Sequence, residues 1–235
     1  MDGKLAALRA EAEPFSASAG SIYLLPHSMS GMLNRCMSSD GRKTGLLFFG
    51  IGLPESVRKG IDSKLPRRAR GLRLTKEENL HLTLRFVGEV DSHAMYRVRE
   101  DLVSLLVERF TLPLEGGGRF PPRGAMRVVW VGLGAGHPRL FQLRKEIDDT
   151  LLKHGVEVDL RDFVPHATLV RVEPGGQGAG EHLLREFGSF EGPVISVSEL
   201  LLFDSKPSSE GPEYSAIQRF PLRGTSRFPC PHPLA

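Results

Sequence analysis

Cysteine is scarce in this chain of 235 residues, which contains only Cys36 and Cys230. Two cysteines near opposite ends of a chain predict free thiols rather than a disulfide framework or a cysteine-based metal site. Long apolar runs are also missing, since no stretch approaches the roughly 20 residues that cross a bilayer. The amino terminus lacks the basic-then-apolar pattern of a signal peptide. We therefore expect a cytoplasmic protein that contacts no membrane.

Charge of one sign is not in large excess, because the formal net charge is only +3. Lysine is rare, and arginine provides 23 of the 31 basic residues. The guanidinium fork suits phosphate oxygens, but a GC-rich genome also favours arginine codons. The arginine bias therefore supports phosphate or RNA binding only weakly.

The chain divides into a central region and two unusual ends. Residues 1–43 contain Ser/Gly/Ala clusters and four of the six methionines, which predicts a flexible extension or an internal translation start. Residues 223–235 are rich in proline and are expected to be a disordered tail. Residues 44–222 predict a single monomeric domain of alternating strands and amphipathic helices.

The predicted helices of this region are Glu55–Lys64, Asp91–Phe110, with Asp91 or Ser92 as its cap, His137–His154 and Gly180–Phe187. The predicted strands include Leu46–Leu53, Leu72–Leu74, Leu80–Val87, Leu112–Leu114, Arg127–Leu133, Phe163–Val172, Val194–Phe203 and Tyr214–Phe220. The glycines at 116–118 are expected to lie in a loop.

A tetrapeptide His-x-Thr-Leu occurs twice, 85 residues apart, as His81-Leu82-Thr83-Leu84 and as His166-Ala167-Thr168-Leu169. Each copy lies in an apolar run typical of a strand. A preceding strand begins 35 residues before the first histidine and 38 residues before the second. This similar order predicts two related lobes that place their histidine strands in equivalent positions.

Strand side chains alternate between two faces, so the histidine and threonine of each motif share one face. Leu82, Leu84 and Phe86 are then expected to point into the core. A pseudo-twofold relation between the lobes would bring both His/Thr faces to one cleft.

Such a cleft suits displacement at phosphorus. A histidine pKa of roughly 6.5 allows one imidazole to accept a proton from water while the other protonates the departing oxygen. Threonine hydroxyls can hold the non-bridging oxygens. No cofactor is predicted. A zinc site would lack a third ligand, and the HExxH and CxxC spacings do not occur.

The segments ENLHLTLRFVGEV and FVPHATLVRV resemble the two HxTx signatures of the 2H phosphoesterases. The nearest likeness is to the bacterial RNA 2′,3′-cyclic phosphodiesterases, also called 2′-5′ RNA ligases, over about Leu46 to Leu222. The resemblance implies a bilobal α+β fold, with antiparallel sheets lining a cleft and helices outside. It also implies hydrolysis of 2′,3′-cyclic phosphates on RNA ends or small nucleotides to 2′-phosphomonoesters.

By the same resemblance, His81 is the proton donor and His166 the acceptor that activates water. Thr83 and Thr168 hold the phosphate, and Arg171 matches a basic residue found just beyond the second motif. Strict alternation points Arg171 away from the cleft, so it contributes only if the strand ends, twists or bulges there. Arg85 shares the parity of His81 and is an equal candidate for the phosphate.

Phe48 or Phe49 is expected to face away from the core, and an exposed Phe48 could stack on a nucleobase. Two alternative functions stay open. One keeps the chemistry but changes the substrate to 2′-5′ linked oligonucleotides, to ADP-ribose cyclic phosphate or to ligation. The other is a non-catalytic RNA-end-binding module, although binding alone does not require two titratable imidazoles.

Overall fold

The computed structural model describes residues 46–134, 136–159, 162–209 and 211–223. The predicted extension at 1–43 and the predicted tail beyond Arg223 lie outside the described residues. Within the described residues, no helix is long and apolar enough to cross a membrane.

The helices are α1 (Glu55–Asp62), α2 (Ser92–Leu102), α3 (Pro138–Lys153) and α4 (Gln177–Gly188). The strands are β1 (Leu46–Gly52), β2 (Leu72–Leu74), β3 (His81–Gly88), β4 (Phe110–Glu115), β5 (Gly117–Phe120), β6 (Val128–Val131), β7 (Ala167–Val172), β8 (Glu191–Val197), β9 (Glu199–Ser208) and β10 (Gly211–Pro221).

Two four-stranded antiparallel sheets organise the fold. The first has the strand order β10-β9-β1-β3, the second has the order β2-β7-β6-β5, and β4 pairs with β8 in a separate ribbon. The first histidine strand, β3, pairs with β1, and the second, β7, pairs with β6. Because β1 and β6 are the strands that open the two predicted halves, the α+β class and the two-lobe repeat are confirmed.

Helices cover one face of each sheet. Helix α3 packs against β3 and α2, whereas α4 packs against β5, β6 and β7. The main core lies between the helices and the sheets and includes Phe49, Leu82 and Leu169, each fully buried. The opposite face of the first sheet has its own small apolar cluster of Phe48, Leu201 and Phe203. Each sheet thus leaves its helix-free face for the site.

Helix ends follow local capping chemistry. The Asp91 side chain accepts a hydrogen bond from the Ala94 backbone N–H and caps α2, as predicted. The predicted end of α2 at Phe110 is wrong, because α2 stops at Leu102 and Phe110 begins β4. The apolar spacing continues past Leu102 because Leu105 and Val107, in the turn after the helix, are also buried. Periodicity alone cannot distinguish a longer helix from a buried turn.

Two predictions that concern the strands are wrong. The glycines placed in a loop belong in part to β5, where Gly118 lies opposite Trp130. A Cβ at Gly118 would overlap the indole ring, so the glycine serves close packing rather than a turn. The predicted strand Val194–Phe203 is two strands, because β8 pairs with β4 and β9 with β1.

Candidate active site

The two HxTx motifs lie in equivalent strands whose helix-free faces meet. His81 and Thr83 are partly exposed on β3, whereas Leu82 between them is fully buried. His166 precedes β7, with Thr168 on the same face and Ala167 buried. Strands β3 and β7 contact each other. The structure therefore brings both predicted His/Thr pairs to one site.

Both imidazoles are held in the same way. Nδ1 of His81 lies 2.7 Å from the backbone oxygen of Asn79, and Nδ1 of His166 lies 2.7 Å from that of Val164. A carbonyl oxygen only accepts, so each Nδ1 carries a hydrogen and each neutral ring keeps its lone pair on Nε2. Nε2 of His81 lies 3.0 Å from the Thr83 hydroxyl. Nε2 of His166 has no hydrogen-bond partner among the described residues.

Asn79 is a site residue that the sequence interpretation missed. It ends a short 3-10 turn at Glu77–Asn79 directly before β3 and is 8% exposed. Its side-chain Nδ2 donates to the Pro212 carbonyl in β10 at 2.9 Å. Asn79 therefore fixes the carbonyl that orients His81 and ties it to the opposite edge of the sheet. A polar amide directly before the motif was the available signal.

Aromatic rings surround each imidazole. His81 lies against Phe48, Phe203 and Tyr214, with centroid distances of 4.9, 5.5 and 5.0 Å. His166 is similarly flanked by two aromatic rings of its own sheet. Trp130 lies at 5.8 Å on β6, the neighbour of β7, and Phe120 lies at 4.9 Å on β5, the next strand. The two histidine environments are therefore alike in composition as well as position.

These surroundings favour neutral imidazoles. The pKa of His81 is lowered from 6.5 to about 4, mainly by burial; the hydrogen bond to Asn79 opposes this shift and the nearby His166 adds to it. Burial is also the main cause that lowers the pKa of His166, to which Arg171 adds. A phosphodiester anion between the rings would raise both pKa values, because it stabilises the imidazolium form.

A β-bulge places Arg171 on the site face. Val129 pairs with Val170, but the next residue, Trp130, pairs with Thr168, which leaves Leu169 unpaired. The extra residue reverses the alternation beyond it. Arg171 therefore faces the same side as Thr168 despite lying five residues after His166, and the bulge required by the sequence analysis is present.

Arg171 also links the two lobes. Its guanidinium is close enough to Tyr214 on β10, in the first sheet, to act on the pKa of that phenol. Burial raises the pKa of Tyr214, and Arg171 opposes that rise, so the phenol stays neutral and can donate its own hydrogen. Tyr214 lies 133 residues after His81 in the sequence, and no local pattern indicated it.

The first motif has the same bulge, with the opposite outcome for its arginine. Phe49 pairs with Arg85 and Gly50 with Thr83, so Leu84 is unpaired. Arg85 therefore turns to the helix side, where it is 5% exposed and its Nε donates to Asp148 of α3 at 2.5 Å. The prediction that Arg85 binds phosphate is wrong, because the bulge reverses its parity.

Phe86 replaces Arg85 on the site face. It is 67% exposed, and its ring centroid lies 5.6 Å from that of Phe48, so the prediction of a core Phe86 is also wrong. Phe48 faces the site rather than the core, but it is only 1% exposed and stacks on Phe203 at 4.8 Å. The expectation of an exposed Phe48 ring is wrong, and Phe86 is the accessible aromatic on that strand pair.

Two HxTx strands in contact, with histidines close enough to interact electrostatically, are the arrangement expected of a two-histidine phosphoesterase. The family model of LigT-like phosphoesterases matches residues 51–130 and 133–214, one match for each half of the repeat. The chain belongs to this family, as the resemblance of its motifs predicted.

Relatives and solved structures agree with this membership. The chain is 35% identical to an RNA 2′,3′-cyclic phosphodiesterase of Aeropyrum pernix, over 66% of this chain and 89% of that protein. It is 29% identical to one of Methanocaldococcus jannaschii, over 74% and 99%. The crystal structure of E. coli LigT complexed with 3′-AMP matches with a TM-score of 0.62 and 26% identity, over 77% of this chain and 99% of that one.

Proposed function

We propose that this phosphoesterase hydrolyses 2′,3′-cyclic phosphates at RNA ends or on nucleotides to 2′-phosphomonoesters, with His81 and His166 as a general acid/base pair and without a metal. The observation that most supports this mechanism is the matched orientation of the two imidazoles, each fixed through Nδ1 with Nε2 left for the reaction. Relatives named RNA 2′,3′-cyclic phosphodiesterase support the substrate class.

The reaction needs one proton acceptor and one donor. His166 Nε2 takes a proton from water, the water oxygen forms a bond to phosphorus, and the bond from phosphorus to the 3′ oxygen breaks. His81 Nε2 gives its proton to that oxygen, which leaves a 2′-phosphomonoester. Nε2 of His166, which has no hydrogen-bond partner among the described residues, fits the role of acceptor. In the neutral ring, Nε2 of His81 accepts from the Thr83 hydroxyl. His81 serves as the donor once a bound phosphate anion has raised its pKa and the ring is protonated.

Charge on the phosphoryl group is met by side chains on the same face. In this proposal Thr83 and Thr168 donate hydroxyl hydrogen bonds to its non-bridging oxygens, and Arg171 supplies a guanidinium. Tyr214 lies near Arg171 from the opposite lobe. Rigid positioning of these donors stabilises the charge that develops as the bond to the 3′ oxygen breaks.

A nucleoside 2′,3′-cyclic phosphate assay with excess chelator tests the proposal. We expect turnover to a 2′-phosphate that persists with chelator and is lost in His81→Ala and in His166→Ala. Retained binding of a nucleoside 2′-phosphate in these variants separates lost chemistry from lost folding. Unchanged turnover in either variant would overturn the mechanism, and wild-type binding without turnover would favour the RNA-end-binding alternative.

A further inference from the structure

A second arginine flanks the site on the edge strand of the second sheet. Arg73, at the centre of β2, lies directly opposite Arg171 in the antiparallel β2–β7 pair. Residues opposite one another point to the same face, with Cβ atoms about 5 Å apart. Leu72 and Leu74 pack against the core, so Arg73 points the other way. The site face therefore presents two neighbouring guanidinium groups.

One terminal cyclic phosphate does not account for both arginines. A cyclic phosphodiester carries a single negative charge, and in the proposed mechanism the imidazolium, the threonines and Arg171 already stabilise that charge. Arg73 is 56% exposed, and its ion pair with Glu173, at 3.1 Å, is exposed as well. Exposed pairs of this kind are weak. The Arg73 guanidinium is thus available to a second anion close to the first.

We propose that Arg73 binds the phosphate group attached to the 5′ oxygen of the terminal nucleoside. This inference rests on the proposed function and narrows its substrate to RNA ends of at least two nucleotides. An internal phosphodiester and a 5′-phosphomonoester share this chemistry. We infer the internal phosphodiester, because β2 is the outermost strand of its sheet and a longer RNA chain can leave the site across that edge.

The test compares kcat/KM for three substrates: a nucleoside 2′,3′-cyclic phosphate, its 5′-phosphorylated form and a dinucleotide ending in the same cyclic phosphate. We expect wild-type protein to prefer the dinucleotide over the nucleoside form, and Arg73→Ala to reduce that preference about tenfold. The slope of log kcat/KM for the dinucleotide against log salt should become shallower by about 0.7. Arg68→Ala is the matched control, because Arg68 is exposed on the loop before β2 and carries the same charge.

A second variant is expected to strengthen binding of the dinucleotide. Glu173→Gln releases the Arg73 guanidinium, and we expect it to lower KM for the dinucleotide by up to about fivefold. The inference is overturned if Arg73→Ala leaves the dinucleotide preference intact, if Arg68→Ala reduces it equally, or if only the 5′-phosphorylated nucleoside gains from Arg73. Failure of wild-type protein to hydrolyse any of the three substrates would instead reject the proposed function.

Discussion

The low pKa of His81 makes folding stability depend on pH in a calculable way. The folded-state pKa is about 4, against 6.5 for the ordinary imidazole. Between these values the unfolded chain binds a proton that the folded protein does not, so stability falls as pH falls. Since one pKa unit corresponds to about 1.4 kcal/mol, His81 should cost about 2.5 kcal/mol of unfolding free energy between pH 7.5 and pH 4.5.

Urea unfolding of wild-type protein and His81→Gln at these two pH values isolates this effect. We expect the wild-type unfolding free energy to fall by about 2.5 kcal/mol more than that of the variant. His93→Gln is the control, because His93 is exposed on α2 and its removal should leave the wild-type pH dependence in place. Equal pH dependence in wild type and His81→Gln would refute the reasoning that burial keeps this imidazole neutral.

Three further predictions concern rate and stability. Phe86→Ala should lower kcat/KM about tenfold for a nucleotide, through lost base stacking, but should not lower it for a 4-nitrophenyl phosphodiester, which has no base. Equal losses for both substrates, or a similar loss in the control Tyr96→Ala at another exposed aromatic residue, would contradict this role of Phe86. Asp148→Asn should destabilise folding by about 3 kcal/mol in chemical unfolding, because Arg85 loses its carboxylate; a change within 0.5 kcal/mol would show that the pair is not structural. The pKa values of both imidazoles are lowered, so the protonated donor is lost as pH rises. The decline of kcat/KM with rising pH should therefore have a midpoint below pH 6.5; a decline that begins only above about pH 7.5 would contradict the lowered pKa of the donor.

Local patterns were sufficient to predict that the histidine and threonine of each motif share one face of a strand. Period-two alternation holds from His81 to Thr83 and from His166 to Thr168, since each pair lies before the bulge in its strand. The two-lobe order was also readable, because similar spacing separates the opening strands from the motifs. These features depend only on neighbours in sequence.

Strict alternation could not predict the face of the sheet to which Arg85, Phe86 and Arg171 point. Each follows an unpaired leucine, and a bulge exists only in the pairing between two strands. Applying the alternation rule through the bulge gives the wrong face for all three. Asn79 and Tyr214 were missed for a related reason, because their importance comes from contacts with residues distant in sequence.

The most direct test of the acid/base pair uses a phosphodiester whose leaving group needs no proton. With a 4-nitrophenyl phosphodiester, His81→Ala should recover most of the wild-type rate, because the phenolate departs unaided, whereas His166→Ala should stay inactive because water still needs a base. Equal recovery of both variants, or recovery of His166→Ala alone, would contradict the assignment of His81 as donor and His166 as acceptor.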